Sequence, residues 1–209
     1  NSAYARDYSG VLEAQTLSFY HWRQEIMNSD NWLKRHYDST DRWAADFTAQ
    51  EFALLSKIGY ESVFDRIQNT LWADLGIDCN WMYGLGESEL SYQLGVVILN
   101  QAKSIGDELG QQEFEYSSDE LVIRTADEMW PQHLEYLQDV SLSCAIAGPT
   151  HRSGVGEFIE QAHKAFLQFL SDVNHEAMPR IMALGEIETH PNQMEQPIVI
   201  DNEILSVLA

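Results

Sequence analysis

The residues best suited to chemistry are a glutamate and a histidine in the last quarter of the chain. Glu160 and His163 stand three positions apart, so on a helix their side chains are neighbours that can bind one metal ion. Helical bundles that bind two metal ions use two such pairs on different helices, together with further carboxylates. The pair therefore predicts a site for iron or another divalent metal, which Glu13 and Glu128 from other helices would complete.

The same pair also has a purely structural interpretation. Glu160 precedes Lys164 by four positions, which is the favourable order for a charge pair on an exposed helix face. His163 falls between Ile159 and Phe166 in an apolar pattern, which favours a buried core histidine. This interpretation is the stronger one, because the sequence contains a single Glu-x-x-His motif.

A glycine-punctuated loop, residues 148–156, is a second candidate site. A cationic side chain and the free backbone N–H groups at the start of a helix can together bind an anionic small molecule. The residues predicted to bind it are His151, Arg152, Ser153 and Gly154. The sequence lacks the Gly-x-x-x-x-Gly-Lys-Ser/Thr pattern of a phosphate loop, so a plain turn between helices is the stronger interpretation.

Acidic residues dominate the composition and are concentrated in one segment. The 209 residues include 33 Asp and Glu against 12 Lys and Arg, a net charge of -21. Residues 107–139 hold ten of these acids and one base, Arg124. Such a surface disfavours nucleic acid and anionic membranes as partners. It is typical of a solvated helix face, and it also suits a basic protein or peptide. The predicted docking residues are Glu113, Glu115, Asp119, Glu120 and Asp127.

The leading functional prediction is therefore an acidic binding protein that docks a basic partner through residues 107–139. One alternative is a metal-dependent oxidoreductase of the non-haem iron type that uses Glu160 and His163. The other is a binder of an anionic small molecule at residues 148–156, with the aromatic stretch 81–83 as a cover. No catalytic residue is identified, and whether the chain is an enzyme stays open.

The elements that position these residues are predicted to be helices. Apolar residues recur at helical spacing wherever a period can be read, which predicts an all-α fold of six to eight helices in one irregular domain over residues 1–209. Thr48 is predicted to cap a helix, and Pro131 to end or kink one. Residues 186–209 are predicted to form an irregular tail that packs on the core or on a second copy.

The cysteine count and hydropathy bear on the compartment. Cys79 and Cys144 are the only cysteines, and both are predicted to be buried free thiols. No apolar stretch reaches the ~20 residues that span a bilayer. We therefore expect a cytoplasmic location, although the first residue is Asn rather than Met, which leaves open a removed targeting segment.

Overall fold

The computed structural model describes residues 2–28, 30–147 and 151–185, with side chains described for 8–28, 30–146 and 154–185. In this part of the chain all regular secondary structure is helical, and there is no β-strand. The α-helices are α1 Ser2–Asn28, α2 Trp32–Phe52, α3 Leu55–Leu75, α4 Glu87–Leu109, α5 Gln111–Ala147 and α6 His151–Met182, and a short 3-10 helix covers Asn80–Met82. The predicted all-α class with six to eight helices is thus confirmed. The predicted tail, residues 186–209, lies outside the described residues.

The chain divides into two compact units. The first unit comprises residues 1–30 and 119–177, and the second comprises residues 31–118 and 178–209. Helix α1 and most of α5 and α6 therefore belong to the first unit, and α2, α3 and α4 belong to the second. The single-domain organisation stays a prediction.

The first unit is a bundle of α1, α5 and α6 around two apolar clusters. One cluster contains Tyr8, Leu137, Val140, Cys144, Phe158 and Ala162. The other contains Phe19, Ala126, Phe169 and Val173, with Trp22 and Trp130 packed against it. Each cluster draws side chains from all three helices, so burial of apolar area joins the helices into one packed body.

The second unit is formed by α2 packing against α4 and α3. Its buried side chains repeat at helical spacing, Ile67, Leu71 and Leu75 on α3 and Leu90, Leu94 and Ile98 on α4. Gly76 ends α3 in the left-handed conformation with φ 65°, which glycine adopts without steric cost. Both cysteines of the chain are buried free thiols, as predicted.

One predicted helix start is wrong, and one predicted helix end is not formed. Thr48 lies inside α2, where its hydroxyl donates to the carbonyl oxygen of Ala44 at 2.8 Å, so it does not cap a new helix. Helix α5 runs through Pro131 without ending. Trp130 and His133 on either side pack into the first unit, and this packing holds the helix together despite the missing backbone donor.

Candidate functional site

A groove between α5 and α6 is the candidate functional site of the first unit. Its volume is about 530 Å³, which is within the range of protein ligand sites. It is lined by Met129, Gln132, His133 and Tyr136 from α5 and by Gln161, Lys164, Ala165, Gln168, Phe169 and Asp172 from α6. One helix pair therefore supplies both an apolar floor and a polar rim.

The floor of the groove is aromatic and includes a buried histidine. His133 and Phe169 are 7% and 4% exposed, and their ring centroids lie 4.9 Å apart. Trp130 packs beside them, with its ring 5.1 Å from that of His133 and 5.4 Å from that of Phe169. Burial lowers the pKa of His133 below its ordinary value, because desolvation disfavours the charged imidazolium.

A side-chain amide from α1 fixes the histidine. His133 Nε2 lies 2.9 Å from Gln15 Oε1, and Gln15 Nε2 donates to the carbonyl oxygen of Ala162 on α6. The amide oxygen only accepts hydrogen bonds, so His133 must carry its proton on Nε2. Gln15 thereby joins all three helices of the first unit through one buried polar group.

The rim on α6 carries pairs of exposed side chains spaced by four residues. Gln161 donates to Glu157 at 2.9 Å, Lys164 donates to Glu160 at 2.6 Å, and Gln168 donates to Asp172 at 2.8 Å. Such pairs on a helix surface contribute only about 0.2–0.5 kcal/mol each. The rim groups can therefore exchange these partners for those of a bound molecule.

The lining of this groove supplies hydrogen-bonding groups and apolar surface. Its lining consists mainly of amides, a phenol, a neutral imidazole and apolar side chains, which offer hydrogen bonds and apolar contact without a nucleophile activated by a neighbouring base. The thiol of Cys144 belongs to the other apolar cluster, where it is 3% exposed. Its burial raises the pKa of that thiol, which makes it less reactive.

The structure does not form the predicted metal site. Glu160 pairs with Lys164, which also lowers the pKa of the glutamate, as the structural interpretation predicted. His163 is exposed on α6 rather than buried, so its prediction as a core histidine is wrong. The apolar pattern around His163 did not indicate burial, because Ile159 in the same pattern is itself 52% exposed. The residues with described placement contain no group of three or more His, Cys, Asp or Glu able to hold a metal, and Glu13 and Glu128 therefore do not complete one.

The predicted acidic docking residues are divided between the two units. Glu113 and Glu115 belong to the second unit, whereas Asp119, Glu120 and Asp127 belong to the first. Several of them have partners within the chain, and Glu113 accepts from Ser117 at 3.5 Å. Asp127 accepts from Arg23 at 2.8 Å, and Glu115 accepts from Gln111 at 2.8 Å. All five residues belong to the continuous helix α5.

The predicted anion loop lies at the start of α6. His151, Arg152 and Ser153 belong to this helix by their backbone, and their side chains lie outside the described residues. Gly154 has a structural reason to be glycine. A Cβ atom there would lie 2.8 Å from the carbonyl oxygen of Cys144 and 3.2 Å from the hydroxyl of Tyr8, so the glycine permits close packing within the first unit.

Gln15 and His133 are the residues that the sequence analysis missed. One signal could have revealed the glutamine. It occupies the position between Leu12 and Phe19 in the apolar pattern of α1, where a polar side chain needs a buried partner. His133 carried no comparable signal, because its partner is far away in the sequence.

The described part of the chain is thus all-helical, and its groove offers hydrogen-bonding and apolar groups. The chain matches the family described as SecA Wing and Scaffold domain over residues 4–185. It belongs to that family, which implies that it takes part in protein–protein interaction. Within the described residues, no helix combines the length and the apolar character needed to cross a bilayer.

This membership corrects the functional predictions. The prediction of an acidic binding protein that docks a partner through residues 107–139 is wrong, because residues 4–185 match a family named for part of SecA. The metal-dependent oxidoreductase is wrong for the same reason, and the part of the chain that the structure describes has no metal-binding cluster. The alternative prediction, a binder of an anionic small molecule at residues 148–156, is wrong for the same reason.

Proposed function

We propose that this chain is the wing and scaffold region of a SecA-related component of protein translocation. The observation that carries the proposal is the family match, which extends over residues 4–185 of the 209. In this role the chain contributes architecture and contacts to other polypeptides. A cytoplasmic location for the component is part of the proposal.

The groove of the first unit suits contact with a polypeptide. Gln132, Gln161 and Gln168 line it, and side-chain amides both donate and accept hydrogen bonds. They can therefore pair with the backbone N–H and C=O groups of a bound segment whatever its sequence. The apolar floor of Met129 and Phe169 adds favourable contact with its larger side chains.

The composition restricts the choice of partners. A net charge of -21 raises the rate of encounter with basic proteins and lowers it with acidic ones. Basic partners are therefore favoured for this component. Self-association through residues 186–209 stays a prediction.

The test places a photoreactive amino acid at Tyr136 in the full protein, while an exported precursor is arrested during translocation. Tyr136 lines the groove and is 53% exposed. Leu167 is the matched control, because it is 54% exposed on α6 and does not belong to the groove lining. We expect the Tyr136 probe to crosslink to the arrested precursor and the Leu167 probe to do so at least about tenfold less. Equal crosslinking from both positions, or none from either, would contradict the proposal.

A further inference from the structure

The hydrogen-bond roles at the floor of the groove are fixed by a chain of contacts that begins at a backbone carbonyl. The carbonyl oxygen of Ala162 can only accept, so the Gln15 atom that contacts it is the amide nitrogen Nε2. The amide oxygen of Gln15 then lies 2.9 Å from His133 Nε2, and this nitrogen must donate. A neutral imidazole carries one ring proton, so His133 Nδ1 carries none and can only accept a hydrogen bond.

The surroundings of His133 keep its ring neutral. Its centroid lies 5.1 Å from the Trp130 ring, 6.2 Å from the Phe166 ring and 4.9 Å from the Phe169 ring. This burial among aromatic rings lowers the pKa of His133, because desolvation disfavours the imidazolium. Near neutral pH, Nδ1 therefore stays an acceptor.

Nδ1 is the polar atom of His133 that the fold leaves unused. The side chain lines the groove and is 7% exposed. Within the described side chains, Nδ1 has no hydrogen-bond partner. It also does not belong to the polar atoms that are fully enclosed without a partner. The atom therefore keeps access to the groove, where it presents a hydrogen-bond acceptor.

The groups beside this acceptor on the groove floor are apolar. Met129, Ala165 and Phe169 line the groove together with His133, and none of these three side chains has a hydrogen-bond donor. A molecule that covers the floor must bring a donor of its own, because a buried polar group left without a partner costs about 1–3 kcal/mol. The floor thus favours an apolar ligand that carries one donor.

The charged side chains of the groove lining balance each other. They are Lys164 and Asp172, and each has a partner on α6. Lys164 donates to Glu160 at 2.6 Å, and Asp172 accepts from Gln168 at 2.8 Å. The lining therefore carries no net charge, which favours an uncharged ligand group over a cationic or an anionic one.

We propose that the groove binds the indole of a tryptophan in a polypeptide segment, with His133 Nδ1 accepting a hydrogen bond from the indole N–H. Indole is uncharged and aromatic, and it has a donor but no acceptor. Its ring would add to the aromatic packing around Phe169. Phenylalanine brings no donor, and tyrosine brings an acceptor oxygen for which the floor has no donor. The inference rests on the proposed function in taking a polypeptide as the occupant, and it makes His133 the residue that selects among side chains.

The test compares capped, uncharged peptides by calorimetric titration of the full protein. Gly-Gly-Trp-Gly-Gly is set against the same peptide with an N-methylated indole, with tyrosine and with phenylalanine. N-methylation keeps the ring and removes the donor, so we expect binding about tenfold weaker than that of the tryptophan peptide. The tyrosine and phenylalanine peptides should also bind more weakly. In nitrogen NMR of labelled histidine, the tryptophan peptide should shift the Nδ1 signal of His133, and the N-methylated peptide should not.

Variants separate the loss of the hydrogen bond from the added bulk of the methyl group. In His133→Phe, the tryptophan and N-methylated peptides should bind within about twofold of each other. His133→Gln is the second variant, because its amide N–H can still donate to Gln15 while Nδ1 is absent. It keeps the test valid if His133→Phe does not fold, which circular dichroism shows. His163→Phe is the matched control, at an exposed position outside the groove lining, and it should preserve the wild-type difference.

Several outcomes would overturn the inference. They are equal wild-type affinity for the tryptophan and N-methylated peptides, a difference that persists in both His133 variants, tighter binding of the tyrosine or phenylalanine peptide, and no binding of any peptide. These results are distinct from those of the crosslinking test at Tyr136. A tryptophan preference without crosslinking contradicts the proposed function alone, whereas crosslinking without the preference contradicts this inference alone.

Discussion

Gln15 Oε1 lies 2.9 Å from His133 Nε2, although 118 positions separate the two residues. The same amide donates to the carbonyl oxygen of Ala162, so one buried side chain sets the positions of α1, α5 and α6 relative to one another. Apolar packing alone tolerates small shifts of helix position, whereas a buried hydrogen bond is lost when its partners move. This polar bridge therefore defines the groove above it.

Replacing Gln15 with leucine should destabilise the first unit. The substitution leaves the buried Nε2–H of His133 without its acceptor, which costs about 1–3 kcal/mol. Urea unfolding measures the free-energy change. Gln24→Leu, at an exposed position of the same helix, is the control and should have an effect below about 0.5 kcal/mol. Equal effects of the two changes would show that the bridge contributes no stability. Adding His133→Phe to Gln15→Leu should recover part of the loss, because both polar groups are then absent.

His36 should make the second unit sensitive to mild acid. It is 7% exposed and stacks on Trp32 with ring centroids 4.7 Å apart, and its Nε2 has no hydrogen-bond partner among the described residues. Burial lowers its pKa from 6.5 to about 4. The unfolded chain therefore binds a proton more readily than the folded one, so stability falls as the pH drops from 6.5 toward 4 and is unaffected by this group above 6.5.

The free energy of unfolding should fall by about 1.4 kcal/mol per pH unit in this range. The total loss therefore approaches about 3 kcal/mol near pH 4. Unfolding measured across this range should show a shallower acid dependence for His36→Phe, which keeps an aromatic ring against Trp32. His163→Phe is the control, because it makes the same substitution at an exposed position. An unchanged pH dependence in His36→Phe would contradict the assignment.

Two glycines near the start of α6 should respond oppositely to alanine. At Gly154 a Cβ would lie 2.8 Å from a backbone oxygen, whereas at Gly156 it would meet nothing within 4 Å. Gly154→Ala should therefore destabilise by about 1–3 kcal/mol through overpacking, and Gly156→Ala should stabilise by up to about 1 kcal/mol through helix propensity. Thermal unfolding compares the two variants. A stable Gly154→Ala would show that the helices can separate slightly without loss.

Removing the proline from the middle of α5 should stabilise the protein. Pro131 is exposed within a continuous helix, where it lacks the N–H that would donate to the carbonyl of Asp127. Pro131→Ala restores that donor, and we expect a gain of about 1–3 kcal/mol in unfolding free energy. Gln132→Ala, at the next exposed position, should change it by less than about 0.5 kcal/mol. A destabilised Pro131→Ala would mean that the bundle depends on a bend at this proline.

The sequence predicts the helical class well, because amphipathic periodicity and helix-ending glycines such as Gly76 are local signals. It fails where tertiary packing overrides such signals. Pro131 indicated a helix end or a kink, yet α5 continues through it because the side chains around it are packed into the first unit. Thr48 formed a plausible capping pattern, but in α2 its hydroxyl bonds to the preceding turn.

The site is less predictable than the fold for a physical reason. Glu160 and His163 lie close together in sequence and therefore attracted a metal-site hypothesis, although the structure places them at the surface with Lys164 as the partner of the glutamate. The bridge between Gln15 and His133 joins residues whose contact depends on three helices being packed. No spacing rule along one helix could identify it.

The most direct measurement of the central claim is the rate of protein export after depletion of this protein from its native cells. Pulse-chase labelling of an exported precursor should show slower processing and accumulation of the uncleaved form, restored by re-expressing the wild-type protein. A Phe158→Asp variant, which buries a charge at a side chain that is 0% exposed in the first unit, should not restore it. Export at an unchanged rate in fully depleted cells would contradict the role in translocation.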